Sequence, residues 1–288
     1  MIHAHPIEET IRERFSCRSY LEVPIDAETR ALLADFAAAK HTGPLGSYAR
    51  FELAAASEDD LKALKGLGTY GFIKGATGFI IGATKESKKN LEDYGYLTEQ
   101  IILYATTLGL GTCWLGGTFT KSSFAKKISA NKDEIIPAVT SVGYIAKKPR
   151  RLDAVIRRGA RADKRLPWEA LFFDKEYGQP ITKKTAGDYA RPLEMVRIGP
   201  SASNRQPWRI LKDGEQWHFY LQRSPGYRKR RTVKLFATSD LQRVDMGIAM
   251  CHFELTAREL GLDGYWEVNS KQITIEDSTV EYIASWLT

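Results

Sequence analysis

Between residues 93 and 109 the apolar positions Leu97, Ile101, Ala105 and Leu108 recur at intervals of three or four and give out at Gly109. That interval places them along one side of a helix, and the glycine behind them suits the left-handed residue on which helices commonly end. The stretch from Ile101 to Thr120 runs twenty residues without a charge, as long as a membrane span. Its four glycines, five threonines and one-sided apolar pattern predict instead an amphipathic helix of a soluble fold. Similar signals predict helices over 7–15, 26–39 (Asp26 as N-cap), 121–129 and 242–260. Strands are predicted over 50–56, 77–84, 111–115, 138–145, 208–212, 216–222 and 264–269. RSYLEVPI reads as extended, 199–208 as a loop and 161–190 as a connecting segment. Helices and strands in this mixed order predict an α+β architecture, with helices packed on a mainly antiparallel sheet.

The pattern also repeats. DYGYLTEQIILYATTLGLGTCW (93–114) aligns without gaps on DMGIAMCHFELTARELGLDGYW (245–266), with eight of 22 positions identical. Asp93/Asp245, Gly95/Gly247, Gly109/Gly261 and Trp114/Trp266 are among them. Where the first copy has Ile102, Thr106, Thr107 and Gly111, the second has Glu254, Arg258, Glu259 and Asp263. That helix face is expected to meet water in copy two and to be covered in copy one. Ahead of the helices, GPLGSYARFEL (43–53) corresponds to GPSASNRQPWRIL (199–211) but lacks its Asn and Gln. Each half keeps polar groups that the other has lost, as two halves of one shared site would.

Composition sets bounds on this picture. At 288 residues, 43% hydrophobic and 27% charged, the chain has the balance of a globular protein with a sizeable core. Three cysteines, Cys17, Cys113 and Cys251, form no CxxC pair, and the N-terminus lacks the apolar run of a signal peptide. A cytoplasmic location is expected. The net charge of +7 is concentrated at 147–165 and in RKRRTVK (228–234), which would suit a phosphate-bearing cofactor, nucleic acid or solubility alone. No helix-turn-helix or zinc-finger spacing accompanies it, so specific nucleic-acid binding is not expected. His3 and His5, at a chain end, are not expected to hold a metal.

Two segments carry candidate chemistry. In RFSCRSY (14–20) Arg14, Ser16 and Arg18 alternate on an extended stretch and so point the same way, which suits a phosphate. Alternation turns Cys17 away from them, toward a packing role. In GPSASNRQPW (199–208) two serines, an asparagine and a glutamine stand between Pro200 and Pro207. That is either a capped turn or a rigid loop presenting neutral hydrogen-bonding groups to a flat ligand.

With these two segments, GLGTCWLGG (109–117) and DKRLPWEALFF (163–173), the chain resembles the nitroreductase family of FMN enzymes, and most closely its branch in which two units are fused. The resemblance implies a nitroreductase-like fold with two tandem copies forming a pseudo-dimer, half one over 1–178 and half two over 179–288. It implies that Arg14, Arg18, Arg165 and Lys164 bind the FMN phosphate and Ser16 the phosphate or ribityl chain. Ser201, Ser203, Asn204 and Gln206 would reach the flavin from half two, replacing the partner subunit of ordinary members. Gly116 and Gly117 would let backbone amides approach flavin N5, and Lys74 would serve the pyrimidine edge. Leu115 departs from the family pattern, where many members place a Glu before the glycine.

The expected function is an FMN-dependent oxidoreductase that passes hydride from NAD(P)H to a small organic acceptor such as a nitroaromatic, quinone or enone. The flavin carries the chemistry, so no catalytic side chain is named. A non-catalytic flavin- or nucleotide-binding protein is the alternative, and a basic nucleic-acid binder ranks below it. The site would be complete within one chain, so a monomer would suffice.

Overall fold

The computed structural model describes residues 5–148, 150–225, 227, 239–270, 273 and 275–288. His3 and all of RKRRTVK therefore lie outside the described residues.

In the first part of the chain, β1 (Ala49–Ala55), β2 (Gly78–Lys85), β3 (Gly111–Leu115), β4 (Glu134–Ile135) and β5 (Val139–Gly143) form an antiparallel sheet. Its order is β1-β2-β5-β3, with β4 also on β2. Central β2 is buried on both faces, which is why GFIIGAT reads as a continuous run without alternation. The helices of this part are α1 (Ile7–Glu13), α2 (Ala27–Ala38), α3 (Asn90–Thr107) and α4 (Lys121–Lys127). Asp26 caps α2 as expected, its carboxylate accepting the Thr29 amide at 2.9 Å.

The second sheet contains β6 (Phe172–Asp174), β7 (Trp208–Asp213), β8 (Gln216–Gln222), β9 (Tyr265–Glu267) and β10 (Val280–Leu287). Their order is β6-β7-β8-β10-β9, antiparallel except for β6 on β7. With it come α5 (Arg151–Gly159), α6 (Lys183–Ala186), α7 (Ala190–Ile198) and α8 (Leu241–Glu259). The connector expected at 161–190 is in fact structured, holding β6, α6 and the start of α7. β6 precedes the expected boundary at 178, yet it pairs with β7 of the second sheet. No helix among the described residues is long and apolar enough to cross a membrane.

Helices α3 and α8, the two copies of the repeat, pack on each other between the sheets. One apolar cluster joins Ile80, Tyr94 and Ile101 from one side to Trp217, Phe253 and Trp286 from the other. The helices come together at their shared glycines. A Cβ on Gly95 would stand 2.1 Å from the Val244 carbonyl oxygen, and one on Gly247 would stand 1.9 Å from that of Glu92. Each helix then runs to a left-handed glycine, Gly109 at φ +75° and Gly261 at φ +72°, and into a short strand, β3 or β9.

Polar groups caught in this packing are paired. Fully buried His252 meets Glu99 Oε1 at 2.9 Å and the Met195 carbonyl at 3.0 Å, and Trp114 Nε1 donates to Glu99 Oε2 at 2.8 Å. Glu254 departs from the expected water-facing pattern of α8. It is only 8% exposed and accepts from Tyr96 Oη at 2.8 Å and Trp266 Nε1 at 2.7 Å, so the aromatic tips of both helices need it there. Cys17, Cys113 and Cys251 are all buried and free, and burial pushes the Cys17 thiol up to about 11.

Replacing Gly95 or Gly247 by alanine drives a methyl group into the partner helix's backbone, which no side-chain rotation relieves. Each substitution should cost at least about 2 kcal/mol, measured as a lower midpoint in denaturant unfolding. Gly159, whose Cβ would meet nothing within 4 Å, is the control and should accept alanine without loss.

Candidate functional site

A cleft of about 530 Å³ opens where the two parts of the chain meet. One wall is the extended segment after α1, presenting Ser16 and Arg18, with the turn after β3, Leu115 to Thr118. The other wall is the 200–203 loop with the first turns of α8, Leu241, Val244, Asp245 and Ile248. Ile156 and Ala160, from α5 and the residue after it, complete the lining.

Local sequence explains each wall. Ser16 bridges Thr112 of β3 and the Cys17 amide donates to the Thr112 carbonyl at 2.8 Å, so the extended segment lies along the sheet edge. Alternation then sends Ser16 and Arg18 to the cleft and Cys17 inward, with Arg18 Nη1 donating to the Ser16 carbonyl at 3.3 Å. At the turn, a Cβ on Gly116 would stand 2.4 Å from the tip of the Leu241 side chain, so the bare glycine lets Leu241 of α8 pack directly on this backbone. The opposite loop is strained. Ser203 (φ 52°), Asn204 (φ 53°) and Gln206 (φ 49°) are all left-handed without being glycine, a cost of roughly 1–2 kcal/mol per residue, smaller for Asn. Ser201 Oγ accepts the Gln206 amide at 2.8 Å and Asp245 Oδ1 accepts the Ala202 amide at 2.9 Å, which holds the loop in that shape.

The cleft thus gathers Ser16, Arg18, Gly116, Gly117, Ser201 and Ser203 of the residues singled out in the sequence. The others are placed elsewhere. Arg14 is the C-cap of α1, and its guanidinium, 7% exposed, turns to buried Glu99 at 3.9 Å and lines a separate cavity of about 140 Å³. Glu99 takes this cation to offset its own burial. Lys74 joins the motif segment through its backbone only, its amide donating to the Arg18 carbonyl at 2.9 Å, while its side chain is exposed. Phe72 lines the cleft instead.

Asn204 and Gln206 face the 161–166 segment. Asn204 Nδ2 donates to the carbonyls of Arg161 at 2.7 Å and Lys164 at 2.8 Å, and Gln206 Oε1 accepts the Leu166 amide at 2.8 Å. Arg165 donates to the Ile198 carbonyl at 3.0 Å and the Ala162 carbonyl at 2.7 Å. Lys164 contributes its carbonyl to this seam and leaves its side chain exposed. Burial, followed by the Arg14 and Arg197 charges nearby, lowers Arg165 from its ordinary value. Polar residues of ligand-binding type are therefore used here to stitch the chain's two parts together.

Residues that motif reading missed are Asp245 and its apolar neighbours on α8. The repeat held the signal for Asp245, because its identical twin Asp93 accepts the amides of Leu45 at 2.8 Å and Ser47 at 2.7 Å from the corresponding GPLGS loop. A second depression, of about 550 Å³ beside Pro207, is lined by Arg205, Arg209 and Arg223 and holds none of the residues expected to bind the cofactor.

The family model described as "Putative TM nitroreductase" matches residues 6–257. The chain belongs to the TM nitroreductase family. A solved "putative nitroreductase" of Thermotoga maritima is similar over 99% of this chain and 94% of its own, at 20% identity and a TM-score of 0.60. At that identity it shows the nitroreductase fold. A nitroreductase family protein of Clostridium difficile (19% identity, 57% of this chain, 94% of that one) has a TM-score of 0.40. A nitroreductase with bound FMN from Bacteroides fragilis (20% identity, 51% of this chain, 92% of that one) has the same score. Both are partial likenesses only. No curated protein matches.

The seam makes a prediction that a purely ligand-facing role would not. Asn204→Ala removes a donor from the exposed carbonyls of Arg161 and Lys164 and should cost about 0.5–1.5 kcal/mol of unfolding free energy. Ser203→Ala, at an exposed cleft position, should cost less than about 0.5 kcal/mol beside it in the same urea titration.

Proposed function

We propose that this chain is an FMN-dependent oxidoreductase that binds one flavin in the cleft between its two parts and passes hydride from NAD(P)H to a small organic acceptor. Nitroaromatics, quinones and enones are the acceptor class. The observation that carries the reading is the convergence of Ser16, Arg18 and Gly116–Gly117 from one part of the chain with Ser201 and Ser203 from the other in a single cleft. Membership of the nitroreductase family supports it.

The residues present fit such a group. The volume of about 530 Å³ lies within the range of roughly 300–1,000 Å³ usual for small-molecule sites. Asp245 Oδ2 is buried without a hydrogen-bond partner among the described residues, as an atom kept for a ligand would be. Bound FMN would supply the two-electron step, taking hydride from the nicotinamide and giving it to the acceptor. Arg18 would pair with the phosphate, and Ser16, Ser201 and Ser203 would offer hydroxyls to the polar parts of the cofactor. The turn at Gly116–Gly117 would bring its backbone amides to the ring, and Leu115, Leu241, Val244 and Ile248 would exclude water from one side. Arg14, Lys164 and Arg165 would add positive potential behind the phosphate end, and Asn204 and Gln206 would keep the serines in position.

In this reading the two repeat copies form a pseudo-dimer, the second half doing what a partner subunit does elsewhere. Asp93 and Asp245, each holding the loop ahead of its helix, support a common origin for the halves.

Purified protein should bind FMN, and Arg18→Ala should weaken that binding about tenfold to a hundredfold, the equivalent of one charge-assisted hydrogen bond. Flavin fluorescence during titration reads it. Anaerobic NADPH should then bleach the bound flavin and a quinone restore it. A protein with no measurable affinity for FMN would overturn the reading, and bound flavin that stays oxidised at saturating NADH and NADPH would leave a binding protein.

A further inference from the structure

The first turn of α8 places one carboxyl group where, among the described residues, no cation pairs with it. Asp245 is 3% exposed and lines the cleft. Its Oδ1 accepts the Ala202 amide at 2.9 Å, while Oδ2, also buried, has no hydrogen-bond partner among the described residues. Around it stand Leu241, Val244 and Ile248 of its own helix and Leu115 of the facing wall. An ionised carboxylate so placed would lose most of its hydration with one amide in return, whereas the acid form carries a hydroxyl that can be donated.

Its twin shows what a purely structural aspartate does in this fold. Asp93 spends both oxygens on backbone amides, Oδ1 on Leu45 and Oδ2 on Ser47. Asp245, which lines the cleft, spends one oxygen on its loop and leaves the other buried with no partner among the described residues.

We propose that Asp245 is a ligand-binding group of this cleft, a neutral carboxylic acid that offers its Oδ2 hydroxyl as a hydrogen-bond donor to a flat, heteroatom-rich ligand such as the isoalloxazine ring. The inference rests on the flavin reading above. It gives the site a donor whose strength depends on staying protonated, as in active sites where an apolar pocket keeps an acid neutral.

The charged groups around Asp245 act in both directions, Arg18 across the cleft favouring the ionised form and Asp240 the acid. Asp240, ahead of it on the chain, repels an ionised Asp245 and is itself held by Arg223 at 2.7 Å. Tyr227, whose hydroxyl accepts the Leu241 amide at 3.0 Å, is pushed up to about 12, first by burial. On the opposite wall are Arg18 and the Cys113 thiol, which burial also raises. From α3 comes Glu92, tied to Arg243 at 2.6 Å. Burial, then Asp240, raises Asp245 well above the ordinary carboxylate range, against the single amide bond that lowers it. An arriving phosphate dianion adds further negative charge.

The sign follows. Ligand held by the protonated form raises the Asp245 pKa further, so affinity is constant below the free-protein pKa and falls as pH rises through it, by up to about tenfold per pH unit. Asp245→Asn keeps the Oδ1 acceptor for Ala202 and a neutral donor at Oδ2, so it preserves the loop while removing the titration. FMN and riboflavin should each be titrated by fluorescence against both proteins between pH 5 and 9, riboflavin lacking the phosphate's own ionisation. Wild-type affinity should fall with pH for both ligands, and the Asn variant should lack that fall. Independently, the infrared difference between wild type and Asp245→Asn at pH 7, without flavin, should contain the carbonyl stretch of a protonated carboxyl group. Wild-type protein that bound neither flavin would overturn this inference together with the flavin reading. Flavin binding with the same pH profile in both proteins, or a carboxylate signature for Asp245 at pH 7, would overturn this inference alone.

Discussion

The close contact of α3 with α8 at Gly95 and Gly247 is the constraint on which the rest of the molecule depends. Each glycine faces a carbonyl oxygen of the opposite helix, at Val244 and Glu92, at a separation that no Cβ could occupy. That contact fixes where α8 begins, because Val244 and Asp245 lie within three residues of Gly247. It therefore positions Leu241, whose side chain fills the space that a Cβ on Gly116 would take. The cleft is framed by this helix pair on one side and a sheet edge on the other, a rigid setting for its residues.

Polar groups inside this frame divide into those that hold it and those left over. Glu99, His252 and Trp114 satisfy one another between the helices with Arg14 as a more distant cation, Asn204 and Arg165 satisfy carbonyls along the seam, and Gln206 accepts the Leu166 amide there. Ser16, Arg18, Ser201, Ser203 and one oxygen of Asp245 remain at the cleft. The strained backbone at Ser203, Asn204 and Gln206 belongs to the same division, since the residues that hold the loop in its unfavourable shape also aim its hydroxyls.

Much of the fold was legible because its helices and strands keep their periods. The strand at 111–115 and that at 216–222 have the predicted limits, and the helix predicted from 93 starts at Asn90. What escaped did so for local reasons. Helix α7 was not among the predicted elements; it carries Pro192, which breaks a helix interior but is tolerated in the first turn, where α7 places it. A register shift between Tyr282 and Ala284 broke the alternation by which β10 would have been seen. At the site, residue type was a good guide to polarity but a poor one to partner. Asn204 and Gln206 are as able to serve backbone carbonyls as a flavin, and only coordinates separate the two uses. Asp245 was visible as an identity of the repeat, yet its free oxygen exists only once the loop of 200–203 is folded over it.

The central claim is that one chain completes one flavin site. The direct measurement is the flavin-to-protein ratio of FMN-saturated protein, taken together with its molar mass in solution across a dilution series. The account predicts one FMN per 32.4 kDa chain, retained when the protein is monomeric. Two flavins per chain, or flavin lost as an oligomer dissociates to monomer, would contradict it.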